Sequence, residues 1–179
     1  MRKLAFCVML AMALTACGGS SGGPAADPVG AVNNLLNAVK AKQFTTIAPM
    51  ICAAKRDSLS QSLNPMSALG SAAPGVNVQS ILDAMTIDYT GLSVTQVSQN
   101  GDSAVVAIKG QLAITIDPAK MKDVVKTILA AAGQPTDDAT IQQMLPLMTS
   151  AMASTKAMDS QVNVVKENGA WLVCDSIGT

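Results

Sequence analysis

Between Ala104 and Ile116 apolar or small residues recur at every second position: Ala104, Val106, Ile108, Gly110, Leu112, Ile114 and Ile116. A period of two over that length demands an extended strand with one buried face. Such a strand needs neighbours to satisfy its backbone. Asn100-Gly101, just before it, is a strong two-residue hairpin signal. Ile87, Tyr89, Leu92 and Val94 read as the strand before that turn, with Gly91 shifting the alternation as a bulge would. Two more strands are expected at about Ser160–Lys166 and Ala170–Ile177, joined by Asn168-Gly169.

The remaining periodicity is helical. Asp27 followed by Pro28 predicts a helix start, and Val29, Val32, Leu35, Leu36 and Val39 then share a face. A second helix is predicted from about Thr46 to Leu63, with Ile47, Met50, Ile51 and Ala54 inward and Pro49 in its first turn. Residues 64–77 read as a Pro/Gly/Ser/Ala loop, and Val78, Ile81, Leu82 and Met85 as a short helix after it. Asp117-Pro118 repeats the cap-and-proline device. Met121, Val124, Val125, Ile128 and Leu129 line the helix it opens, which Gly133 ends. Thr136 is the expected cap of the following helix. Its stripe is Ile141, Met144, Leu145, Met148 and Met152, and Pro146 should kink it. Helices come first, then an antiparallel meander interrupted by a helical hairpin. The expected class is α+β, with N-terminal helices packed on a curved antiparallel sheet and the hairpin inserted between strands.

Composition removes whole classes of function. The chain has 179 residues and no histidine. That excludes a Ser-His-Asp triad, a Cys-His pair, an imidazole metal site and an imidazole base. Basic and acidic residues number 12 each, which leaves no electrostatic footprint for nucleic acid. Aromatics are 2% of the chain, so the core must be built from aliphatic residues, Ala and Met.

Arg2 and Lys3 precede an apolar run, Leu4 to Leu14, that is too short to span a bilayer as a helix. Leu14-Thr15-Ala16-Cys17 follows. This resembles the bacterial lipobox. The resemblance implies a signal peptide of residues 1–16, diacylglycerol on the Cys17 sulfur, and attachment to a membrane through that lipid. Each buried methylene would add about 0.8 kcal/mol to the anchoring. Residues 17–26 are Gly/Ser-rich and read as a flexible tether, with one domain over 27–179. Gly18 follows Cys17 where an inner-membrane retention signal would place an acid. The resemblance therefore implies the outer membrane as destination if the cell has one.

Four cysteines are present. Cys7 leaves with the signal and Cys17 carries lipid, so Cys52 and Cys174 remain in a compartment that permits disulfides. A Cys52–Cys174 bond is expected, joining an early helix to the last strand. Loop entropy for so long a loop gives about 4–5 kcal/mol.

The apolar helix Val29–Val39, the second helix carrying Cys52, and the ending from Val162 through Trp171 to Asp175 resemble the cystatin-like, nuclear transport factor two-like superfamily. The resemblance implies helices laid across a curved sheet, over Asp27–Asp117 and Asp159–Thr179. The hairpin Pro118–Thr155 departs from that plan.

Candidate sites are few. Met144, Met148 and Met152 stand at i, i+4 and i+8. Thioethers so spaced suit Cu(I), but no clustered partner supports a metal, and a pliable apolar face is the simpler reading. With Met121 and Val125 on the facing helix, they form the candidate lining of an apolar cavity between sheet and hairpin. Asp88, Tyr89, Asp117, Asp159 and Asp175 are the acids and phenol near strand ends, and none belongs to a catalytic motif. The expected function is a non-catalytic binding or scaffold domain, with no cofactor, facing a protein partner. The alternatives are a carrier of a lipid or other hydrophobic ligand and a histidine-free enzyme.

Overall fold

The structure, a computed structural model, describes residues 25–63 and 77–175. The expected signal peptide, Cys17, most of the tether, the loop at 64–76 and the end of the last strand lie outside them. Four strands form one antiparallel sheet in the order β1-β2-β3-β4. They are β1 (Met85–Asn100), β2 (Ser103–Ile116), β3 (Ser154–Glu167) and β4 (Ala170–Val173). The sheet is curled, and helices pack on it. The α+β class holds.

Helix α1 (Pro28–Lys40) starts as the sequence dictates. The Asp27 carboxylate accepts the Gly30 N–H at 2.7 Å, and Pro28 takes the first helical position. Its buried face, Ala31, Val32, Leu35, Leu36 and Ala38, lies against Val106 and Ile108 of β2, Val162 and Val164 of β3, and Val173 of β4. Val32 and Leu35 are fully enclosed, each worth roughly 1.5–3 kcal/mol relative to exposure.

The expected helix over 46–63 is not one helix. Two 3₁₀ turns, Phe44–Thr46 and Ala48–Met50, are followed by extended backbone at Ile51 (φ −106°, ψ 137°). Helix α2 begins only at Arg56 and runs to Leu63. A 3₁₀ turn shares the i, i+3 spacing of a helix, so Ile47 and Met50 carry the same signal in either form. Strand pairing decides the outcome: Ile51 bridges Val173 in parallel, and Cys52 N–H donates to the Val173 carbonyl at 3.0 Å. Cys52 therefore sits beside β4 on extended chain, not on a helix.

Helix α3 (Val78–Ala84) leads directly into β1, which already includes Met85. Two bulges interrupt the pairing of β1 with β2, at Gly91-Leu92 and at Val97, and the second was not expected. Opposite the first bulge stands Gly110 at φ +146°; a Cβ there would come within 3.0 Å of the Leu92 Cα. After β2, the Asp117 carboxylate caps α4 (Pro118–Ala131). Ala132 and Gly133 (φ +66°) close α4. There the Gln134 N–H donates to the Leu129 carbonyl and the Gly133 N–H to that of Ala130. Helix α5 (Asp138–Met152) is capped by Asp137, not Thr136. The Asp137 carboxylate accepts from the Thr140 N–H (3.0 Å) and hydroxyl (2.9 Å). These bonds hold its pKa below the ordinary value.

The helical pair stands between β2 and β3, as expected, and has apolar clusters of its own. Ile81 and Ala84 of α3 meet Met121 and Val124 of α4; Val125 and Leu129 meet Ile141 of α5. β3 is longer than its apolar pattern foretold, pairing with β2 from Val165 opposite Ser103 down to Ser154 opposite Ile114. β4 is shorter and ends at Val173. Among the described residues, no helix is long and apolar enough to cross a membrane.

Candidate functional site

The most built part of the surface surrounds β4. The β3–β4 connection is Asn168-Gly169, both at positive φ (51° and 85°). That is the geometry of a tight hairpin turn. It places Trp171 on β4, where its N–H donates to the Ala25 carbonyl at 3.1 Å. On the same strand Val173 bridges Ile51. The short strand is thus flanked by Ala25, at the end of the expected tether, and by Ile51 beyond the 3₁₀ turns. The Cys52–Cys174 disulfide locks the arrangement, with 5.3 Å between the two Cα atoms. Beside it, Cys174 N–H donates to the Asn163 carbonyl, and Asn163 N–H donates to the Asp175 carboxylate.

Between α1, the 3₁₀ turns and the β3–β4 hairpin lies an open cleft of about 550 Å³. That falls within the usual range of small-ligand sites. Met50, Trp171 and Leu172 supply apolar wall, and Asn34, Arg56 and Glu167 supply polar groups. Arg56 is anchored from its own side: Nε donates to the Ala48 carbonyl at 3.2 Å and Nη2 to that of Ile51 at 3.3 Å. Both Glu167 carboxylate oxygens lie 3.2 Å from the Ala53 N–H. The two charged side chains hold the 48–53 segment in place and present one charge of each sign at the rim. Such a lining can hold a small amphipathic ligand or one or two side chains of an extended peptide. It offers no paired nucleophile and base.

The residues singled out in the sequence do not converge here. Met121 and Val125 are fully enclosed in the helical pair, and Met144, Met148 and Met152 are half-buried against the same clusters. None of the five lines the cleft. Asp88 pairs with Lys40 at 2.6 Å, and this hydrogen bond holds its carboxyl below the ordinary pKa. Tyr89 is pushed up to about 12 by burial. Asp117 caps α4, and Asp159 lies 3.8 Å from Lys109 with both side chains exposed. Among the described residues no group of three His, Cys, Asp or Glu side chains could hold a metal ion. Arg56, Glu167 and Asn34 carried no sequence signal. The signals that led to this corner were structural ones: the expected Cys52–Cys174 bond and Met50 as an inward residue. No protein-family model matches the sequence, and no curated protein is significantly similar to it.

Proposed function

We infer that this protein is an extracytoplasmic lipoprotein, anchored through Cys17, whose domain is a non-catalytic binding module with the β4 cleft as its ligand-facing site. The observation that carries the reading is the disulfide between Cys52 and Cys174, which ties the 3₁₀ segment to the end of the strand whose Trp171 and Leu172 wall the cleft. A structural disulfide suits an oxidising compartment, and Leu14-Thr15-Ala16-Cys17 supplies both the route there and the anchor. Ala25 borders the cleft eight residues after Cys17. Fully extended, that stretch reaches about 28 Å, so the anchor holds the cleft near the membrane surface. The laying of α1 across a curled sheet supports kinship with the cystatin-like, nuclear transport factor two-like superfamily.

Two measurements test the reading. Mass spectrometry of the N-terminal peptide from a bacterial host should find Cys17 as the first residue, carrying acyl chains; an unmodified peptide, or one beginning at Met1, would refute the anchor. Native mass spectrometry of the Cys17→Ser protein should find bound small molecules or peptides that Trp171→Ala releases. The carrier alternative requires the Met-lined helical pair to open around a lipid. It would be supported instead if organic-extractable mass persisted in Trp171→Ala and vanished in Met148→Lys.

A further inference from the structure

Helix α5 is held in place largely by thioethers. It meets its neighbours through Ile141, Met144, Leu145, Met148 and Met152. Three of these five are methionine, and Ile141 alone is buried outright. None of the five joins the main cluster between α1 and the sheet. Met144 packs against the cluster of Val125, Leu129 and Ile141, and Met152 against that of Ile81, Ala84, Met121 and Val124. Met148 and Leu145 pack against both and so join them. The polar ties add little. The Lys122–Asp138 pair between α4 and α5 has both side chains at least half exposed, where an ion pair contributes weakly. Pro146 removes a backbone hydrogen bond from the middle of the helix.

The three sulfurs are within reach of a small oxidant. Met144, Met148 and Met152 are half-buried, whereas Met121 on the facing helix is fully enclosed. Hypochlorous acid can pass one oxygen atom to each thioether. An S–O bond forms and the O–Cl bond breaks. Sulfur loses two electrons, chlorine takes them and leaves as chloride, and the proton of the acid goes to water. The product, methionine sulfoxide, is polar where the thioether was apolar. Its oxygen needs a donor, and burying it without one is costly. On α5 the Thr149 hydroxyl already donates to the Leu145 carbonyl and the Ser150 hydroxyl to that of Leu147. The sulfoxide therefore turns to water and draws its side chain out of the cluster.

We propose that the Met144, Met148 and Met152 face is a modification site, at which oxidation to sulfoxide releases α5 from α3 and α4 while the sheet and the β4 cleft stay folded. The cleft is spared because the helical pair sits at the other end of β3. Ser154 pairs with Ile114 beside the helices, and Val164 pairs with Val173 beside the cleft. Along the strand these two places are about 33 Å apart.

The test is limiting hypochlorous acid on the full-length protein in mild detergent, read by peptide mass spectrometry and hydrogen exchange. Oxygen should appear on Met144, Met148 and Met152 about tenfold faster than on Met121. Amides of 141–152 should then exchange about tenfold faster, while those of β2 and β3 keep their rates. Met144→Leu, Met148→Leu and Met152→Leu combined keep the apolar volume without a thioether, and exchange in that α5 should not respond to the oxidant. On the unsubstituted chain, methionine sulfoxide reductase should restore slow exchange, which reads the same site without any substitution. The proposal is overturned if Met121 oxidises as fast as the other three, or if the oxidised α5 exchanges no faster. It is also overturned if the sheet loosens with α5, if the leucine variant responds equally, or if reductase leaves exchange fast.

Discussion

Lys42 is the residue that α1 uses to stop. It stands at φ +59°, a left-handed conformation that helix ends ordinarily give to glycine. Its N–H reaches the Val39 carbonyl and the Gln43 N–H reaches that of Ala38, so the closing turn is complete. The strain of a side chain there is of order 1 kcal/mol. What offsets it is the ammonium, which donates to the carbonyls of Leu82 (2.9 Å) and Met85 (3.0 Å) at the C-terminal end of α3. Lys42→Met should lower stability by about 1–2 kcal/mol in denaturant unfolding; no loss would mean that water replaces the ammonium fully. Tyr89 offers a pH prediction. Burial raises its pKa from 10.0 to about 12. Unfolded chain then releases the phenolic proton first as pH climbs. The neutral phenol favours the folded state fully below the unfolded pKa of 10.0, and that preference is lost as pH rises through about 12. Because Tyr89 is the sole Tyr, tyrosinate absorbance follows it alone. The native midpoint should lie well above the one in denaturant, and coincident midpoints would contradict the burial.

At the scale of elements, the sequence was legible wherever local chemistry and tertiary packing agree. Asp27-Pro28 and Asp117-Pro118 cap the helices they announced, and Asn168-Gly169 turns the last hairpin. The first hairpin turns one residue later than expected, at Gly101-Asp102, with Asn100 paired to Ser103 as the end of β1. The sequence was misleading where pairing with distant chain overrides local preference. Ile47, Met50 and Ile51 look helical, yet Ile51 belongs beside Val173. Ser154 to Ala157 show no apolar alternation because they run beyond the α1 core, and only β2 draws them into strand. The candidate site was hidden for the same reason, since its walls come from α1, the 3₁₀ turns and the final hairpin. Gly110 shows the converse: it reads as one inward position of β2, yet it is the single residue facing the Gly91-Leu92 bulge. Gly110→Ala should cost about 2–3 kcal/mol, read as a lower denaturant midpoint. A neutral result would show that the bulge can shift aside.

For the whole molecule, the central question is what joins the α1 end to the β4 end. The apolar interface of α1 does so by packing, and the Cys52–Cys174 bond does so covalently across 122 residues. Replacing both cysteines by serine should reduce stability by about 2–5 kcal/mol. Thermal unfolding under non-reducing conditions measures it, and an unchanged midpoint would mean that packing alone suffices. The order of the chain in this corner also imposes a schedule. Synthesis delivers α1 first and its seat on β4 last, with every strand of the meander in between. Until Trp171 and Val173 arrive, the greasy side of α1 can cover only β1, β2 and β3, and the thiol of Cys52 waits for its mate. Completion of the fold is thus reserved for a chain whose final strand has emerged, so a truncated or stalled copy is left with an open seam and a free thiol, visible to whatever inspects unfinished proteins.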